Sequence, residues 1–101
     1  MGIHVEWVDE EKSIIHFRYV GKWNWTEFHE TVIQANEMKD SVKHTVHHVY
    51  DMVDSAPLPK GAFSQLYSLR KRSHPQLGRL ILVTEDGFYT AFYNMMRKMY
   101  P

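Results

Sequence analysis

Cysteine is absent from this 101-residue sequence, which excludes a disulfide framework, a thiolate nucleophile and any cysteine-based zinc site. Excess charge of either sign is missing too, because twelve Lys and Arg balance twelve Asp and Glu along the chain. No basic footprint remains for nucleic acid or an anionic membrane surface. Apolar runs fall far short of a membrane span, and Met1-Gly2-Ile3-His4 has neither the basic nor the apolar region of a signal peptide. The expectation is a cytosolic protein with no membrane and no nucleic-acid partner. Repeats, low-complexity segments and linkers are lacking, and so are the P-loop, G-x-G-x-x-G, G-x-S-x-G and H-E-x-x-H frames. What is there is ordinary globular composition, 44% hydrophobic and 24% charged, enough for one domain around one core.

Two patterns of alternation open the chain. Ile3, Val5 and Trp7 alternate with His4 and Glu6, and Ile15, Phe17 and Tyr19 with His16 and Arg18, across the polar turn Asp9-Glu10-Glu11-Lys12. This is a β-hairpin. A one-residue slip inverts every side chain, so a four-residue loop would mix polar and apolar faces. An odd loop length or a bulge is expected, with His4, Glu6, His16 and Arg18 together on the polar face.

A helix start comes next, at Trp23-Asn24-Trp25-Thr26-Glu27-Phe28. Asn24 suits the N-cap, Glu27 sits where a capping box reaches back to it, and Trp23 with Phe28 forms a hydrophobic staple. Trp25, Phe28, Val32, Ala35 and Met38 continue as a buried stripe, ended by Asp40-Ser41. Thr45 to Tyr50 reads as the central strand, ended by Asp51, then a turn-rich connection through Pro57 and Pro59 and a second helix opening at Lys60-Gly61. Arg70, Lys71 and Arg72 crowd that helix's last turn, where cations suit the dipole, and Pro75 stops it. Arg79 to Val83 is nearly continuous apolar, the signature of a strand covered on both sides or central in a parallel sheet. A third helix carries Phe88, Ala91, Phe92, Met95 and Met99 toward the core. Its second stripe, Tyr89, Tyr93, Met96 and Tyr100, reads either as a self-association surface for a homodimer or as tyrosines along the sheet edge. The expected order is β-β-α-β-α-β-α, an α/β fold whose last three strands are parallel.

This order, together with W-x-W-x-E-F at Trp23 to Phe28, L-P-x-G at Leu58 to Gly61 and H-P-x-L-G at His74 to Gly78, resembles the SpoIIAA-like group of STAS domains over essentially the whole chain. The resemblance implies a STAS-like domain in which the loop after the central strand engages a protein partner. Signalling members carry an Asp-Ser-Ser/Thr-Gly motif with a phosphoacceptor hydroxyl. Placing Gly61 on the motif's glycine puts Lys60 where that hydroxyl would be, so the acceptor is missing here. Ser55 and Ser64 lie nearby.

In open α/β sheets a site forms beyond the carboxyl ends of the strands, which selects Asp51, Asp54, Ser55, Lys60, Gly61, Phe63 and Ser64 as the partner- or ligand-binding loop. Asp51 and Asp54 with His47 or His48 and Ser55 contain the residue types of an acid/base or nucleophilic site, but nothing frames them as one. His47 and His48 point to opposite faces of a strand and cannot share one ion; His4, His16 and Glu6 offer the better weak metal geometry, but solvated surface histidines are the simpler account of the set. The reading is therefore a non-catalytic interaction module with no cofactor and no metal, the alternative being a small-molecule carrier or sensor lined by the Met-rich third helix.

Overall fold

The computed structural model describes residues 2–62, 64–65, 74–85 and 94. Within them lie β1 (Ile3–Trp7), β2 (Ile14–Gly21), α1 (Trp25–Asp40), β3 (Val46–Ser55) and β4 (Leu77–Val83). The strands form one mixed sheet in the order β1-β2-β3-β4, antiparallel between β1 and β2 and parallel across β2, β3 and β4. The second and third helices, with Arg70 to Arg72, fall outside the described residues except for helical backbone at Ala62, Ser64, Gln65 and Asn94.

The hairpin register is set by the side chains. Ile3 faces Tyr19, Val5 faces Phe17 and Trp7 faces Ile15 on the core side, while His4 faces Arg18 and Glu6 faces His16 on the other. Val8 N–H then donates to Ile14 carbonyl at 3.0 Å, leaving an odd, five-residue turn, as the polarity demanded. Asp9 organises that turn by accepting from the Ser13 backbone at 3.0 Å and from its hydroxyl, and the bond to the hydroxyl holds the Asp9 carboxyl below its usual pKa.

Helix α1 begins where the sequence places it. Asn24 is extended at φ −130° and its side chain accepts from Glu27 N–H at 2.8 Å, satisfying one orphan donor of the first turn. The staple also forms, with the Trp23 and Phe28 rings 6.0 Å apart. The reciprocal half of the capping box does not: the Glu27 carboxylate instead accepts from the backbones of Gly2 and Ile3 at 2.5 and 3.1 Å. Two free N–H groups at the start of β1 outcompete the single one at Asn24. Phe28, Thr31, Ala35 and Lys39 turn inward from α1 against the sheet, where Ile15, Phe17, Tyr19 and Val46 form the buried centre.

Two strand expectations are corrected. β3 does not stop at Asp51 but runs to Ser55. And β4, despite its continuous apolar run, is the last strand of the described sheet, with Ile81 and Val83 exposed by 47% and 43%. Of its apolar residues, Leu82 is the one that packs against the described core cluster.

Candidate functional site

The carboxyl ends of β2, β3 and β4 point the same way, and the segment Asp51 to Ser64 leaves from the middle one. Asp51 lies within β3 and is engaged on both oxygens. Oδ2 accepts from His16 Nε2 at 3.2 Å and Oδ1 from Val53 N–H, also at 3.2 Å. The second bond is an Asx turn, and it coincides with a break in register: Arg18 pairs with Asp51 and Val20 with Asp54, so two residues of β2 span three of β3. Such a bulge re-aims the residues beyond it. It brings the Asp54 carboxylate onto the face of Arg18, whose guanidinium reaches it at 3.3 Å. The histidine partner of Asp51 thus comes from β2 rather than from His47 or His48 of its own strand.

Farther along, Ser55 accepts from Trp23 Nε1 at 2.9 Å and donates to Ala56 carbonyl at 2.7 Å. Its hydroxyl proton is committed to a carbonyl, not offered to a base. Trp25 Nε1 donates to the Lys60 carbonyl at 2.7 Å, leaving the Lys60 side chain exposed. Gly61 adopts φ +84°, a left-handed conformation that L side chains rarely take, and its carbonyl accepts from Ser64 Oγ and Gln65 N–H at 3.2 and 3.1 Å. Of the residues selected from sequence, Asp54, Lys60, Gly61 and Ser64 are open to solvent, whereas Asp51 and Ser55 are partly covered and engaged. Phe63, Tyr89, Tyr93, Met96 and Tyr100 lie outside the described residues.

The short motifs turn out to be fasteners. Trp23 of W-x-W-x-E-F ties the start of α1 to the last residue of β3, Trp25 ties it to the loop that follows, and Glu27 ties it to β1. In H-P-x-L-G, His74 donates to Asp40 at 2.7 Å, and the Gln76 side chain donates to the carbonyls of Lys39, Val42 and His44 at 2.9 to 3.0 Å, closing the end of α1. Gly78 admits the His47 ring: a Cβ there would lie 2.5 Å from His47 Nδ1, the atom that accepts from Arg79 N–H at 2.9 Å.

Beneath the sheet is a polar chain that sequence reasoning missed. Lys39 is 2% exposed and donates from Nζ to His48 Nε2 at 2.8 Å; His48 Nδ1 in turn bonds the Tyr50 hydroxyl at 2.9 Å. Burial pushes the Lys39 ammonium down to about 8, against a smaller opposing pull from Asp40. His48 is pushed down to about 3 by burial first, then by Lys39, His47 and His74. The imidazole is therefore neutral at pH 7, accepting from the ammonium and donating to the phenol. Both positions were marked by phase: Lys39 continues the inward stripe of Phe28, Val32 and Ala35, and His48 stands between Val46 and Tyr50 on the inward face of β3.

The opposite face of the sheet carries His4, Glu6, His16, Arg18, Asp51 and Asp54, with exposed Val53, Ile81 and Val83 beside them. Among the described residues no cluster of three His, Asp or Glu could hold a metal ion, and no helix is long and apolar enough to cross a membrane. No family model, curated protein or solved structure matches the chain.

Proposed function

We propose that this chain is a non-catalytic interaction module of the SpoIIAA-like, STAS kind, which binds a protein partner through the carboxyl end of β3 and the segment that follows it. The order β-β-α-β-α-β-α belongs to this reading. One observation carries it. At the carboxyl ends of the parallel strands, Val53, which is 46% exposed, adjoins Asp54, whose carboxylate meets the exposed Arg18 guanidinium at 3.3 Å, and the exposed Lys60 follows along the same segment. An apolar spot rimmed by charges of both signs is the composition of a protein contact.

The groups that would make the same segment catalytic are spent elsewhere. Asp51 holds His16 and the bulge, Ser55 holds Trp23, and no hydroxyl occupies the position of Lys60 to receive a phosphate. The fasteners Trp23 and Trp25 hold the segment in place before a partner arrives, which lowers the ordering cost of association.

The test is cross-linking in the native host, with a photoreactive residue placed at Asp54 or Lys60 and, as a control, at Glu10 in the hairpin turn. The reading expects a discrete protein adduct from the first two positions and none from the third. Alanine at Asp54 and Lys60 together should lower affinity for the captured protein about tenfold or more. A partner that stays fully bound to that double variant would remove the segment from the interface.

A further inference from the structure

We infer that a second copy of this chain docks on the outer edge of β1, pairing β1 with β1 antiparallel so that the sheet continues across a two-fold axis at Val5.

The edge is open. Gly2 carbonyl accepts from Val20 N–H and Val8 N–H donates to Ile14 carbonyl, which in this register makes the even-numbered residues of β1 the ones bonded to β2. The peptide groups of Ile3, Val5 and Trp7 therefore point away from the sheet. Glu27 takes the Ile3 N–H; among the described residues nothing takes those of Val5 and Trp7. Open edges of this sort are templates for a further strand.

The sequence of the strand selects a copy of itself. In an antiparallel pair centred on Val5, position i meets position 10 − i, so Ile3 of one protomer stands opposite Trp7 of its partner, His4 opposite Glu6, and Val5 opposite Val5. On the solvent side each histidine meets a carboxylate, twice by symmetry; on the core side every residue meets an apolar one. Cross-strand imidazole–carboxylate pairs and apolar pairs both favour the register. A slip by one residue would set His4 against Val5 and lose both. The outward groups fit as well: Val5 N–H of each protomer donates to Val5 carbonyl of the other, and Trp7 N–H to Ile3 carbonyl, while the Ile3 N–H remains with Glu27. Half-buried Val5 and Trp7 gain cover. This surface is separate from Asp54 and Lys60, so either reading stands without the other.

The test is sedimentation of the full chain over a range of concentrations, with the fold of each variant checked by circular dichroism. Wild type is expected to shift from the 12.0 kDa chain toward twice that mass. Val5→Pro leaves the ladder to β2 intact, since the Val5 N–H points outward, and is tolerated at an edge; it should weaken the dimer about tenfold or more by removing both central donors. His4→Glu sets like charges opposite each other and should also weaken it, and adding Glu6→Lys to His4→Glu should restore it. A wild type that stays monomeric throughout overturns the inference. So does a folded Val5→Pro variant that dimerises like wild type, or a charge pair whose second change restores nothing.

Discussion

Lys39 sits where an apolar side chain would be expected, and its ammonium donates to a neutral imidazole rather than to a carboxylate. Burying a cation in this way is costly, and the direction of both pKa shifts says who bears the cost. For His48 the folded value, about 3, lies below the ordinary 6.5. The unfolded chain therefore binds the extra proton first, and stability is lost as pH falls from about 6.5 toward 3, by about 4 to 5 kcal/mol in all. For Lys39 the folded value is about 8 against 10.5, so the charged form is disfavoured by folding below pH 8. Stability contributed at this residue rises as pH climbs from about 8 to 10.5. Ring signals should show His48 still neutral at pH 5, well below the ordinary histidine value of 6.5. Lys39→Met should move the His48 titration upward, because the neighbouring positive charge is gone; a His48 that titrates as before would mean that burial, with His47 and His74, sets its value without Lys39.

At the scale of elements, β3 and β4 approach closely at Gly78. The ladder shifts between Val46 and His48, and the His47 ring fills the step by lying over Gly78. Gly78→Ala should cost about 1 to 3 kcal/mol, since its Cβ would also meet Thr45 Cγ2 at 2.7 Å. Adding His47→Ala should recover part of that cost, and thermal melts of the four proteins of the cycle give the coupling directly. A full cost that persists without the ring would place the clash at Thr45 instead. Legibility in the sequence obeys the same logic of local constraint. The hairpin register and the start of α1 were legible because alternation, capping and stapling all agree within a few residues. The end of β3 was not, because Asp51 has the look of a strand stop, whereas its carboxylate holds the Val53 N–H and lets the strand continue through a bulge. His16 was not legible as its partner either, since that contact depends on which strand lies alongside. Lys39 and His48 had the phase of core residues, and their polarity hid it.

For the whole molecule the two faces of the sheet are unequal. One lies under α1 and holds the core; the other keeps Val53, Ile81 and Val83 in water beside the pairs His16–Asp51 and Arg18–Asp54. The exposed Arg18–Asp54 pair contributes little to stability, so its value lies in what the face presents. The apolar run of β4 had suggested cover on both sides, yet alternation along it separates Leu82, packed on the core cluster, from Ile81 and Val83 in solvent. That separation yields opposite outcomes at adjacent positions. Ile81→Lys should change stability by less than about 1 kcal/mol, because a half-exposed side chain is traded for one whose charge stays in water. Leu82→Lys should destabilise by about 3 kcal/mol or more, because its ammonium would be forced against the core. Denaturant titration of the two variants measures both. Equal and large losses would show that the outer face is covered in the folded protein, and that the apolar run reports two-sided burial after all; a loss confined to Leu82 leaves Ile81 and Val83 as surface held apolar in water, where a partner of the segment after β3 would gain by covering them.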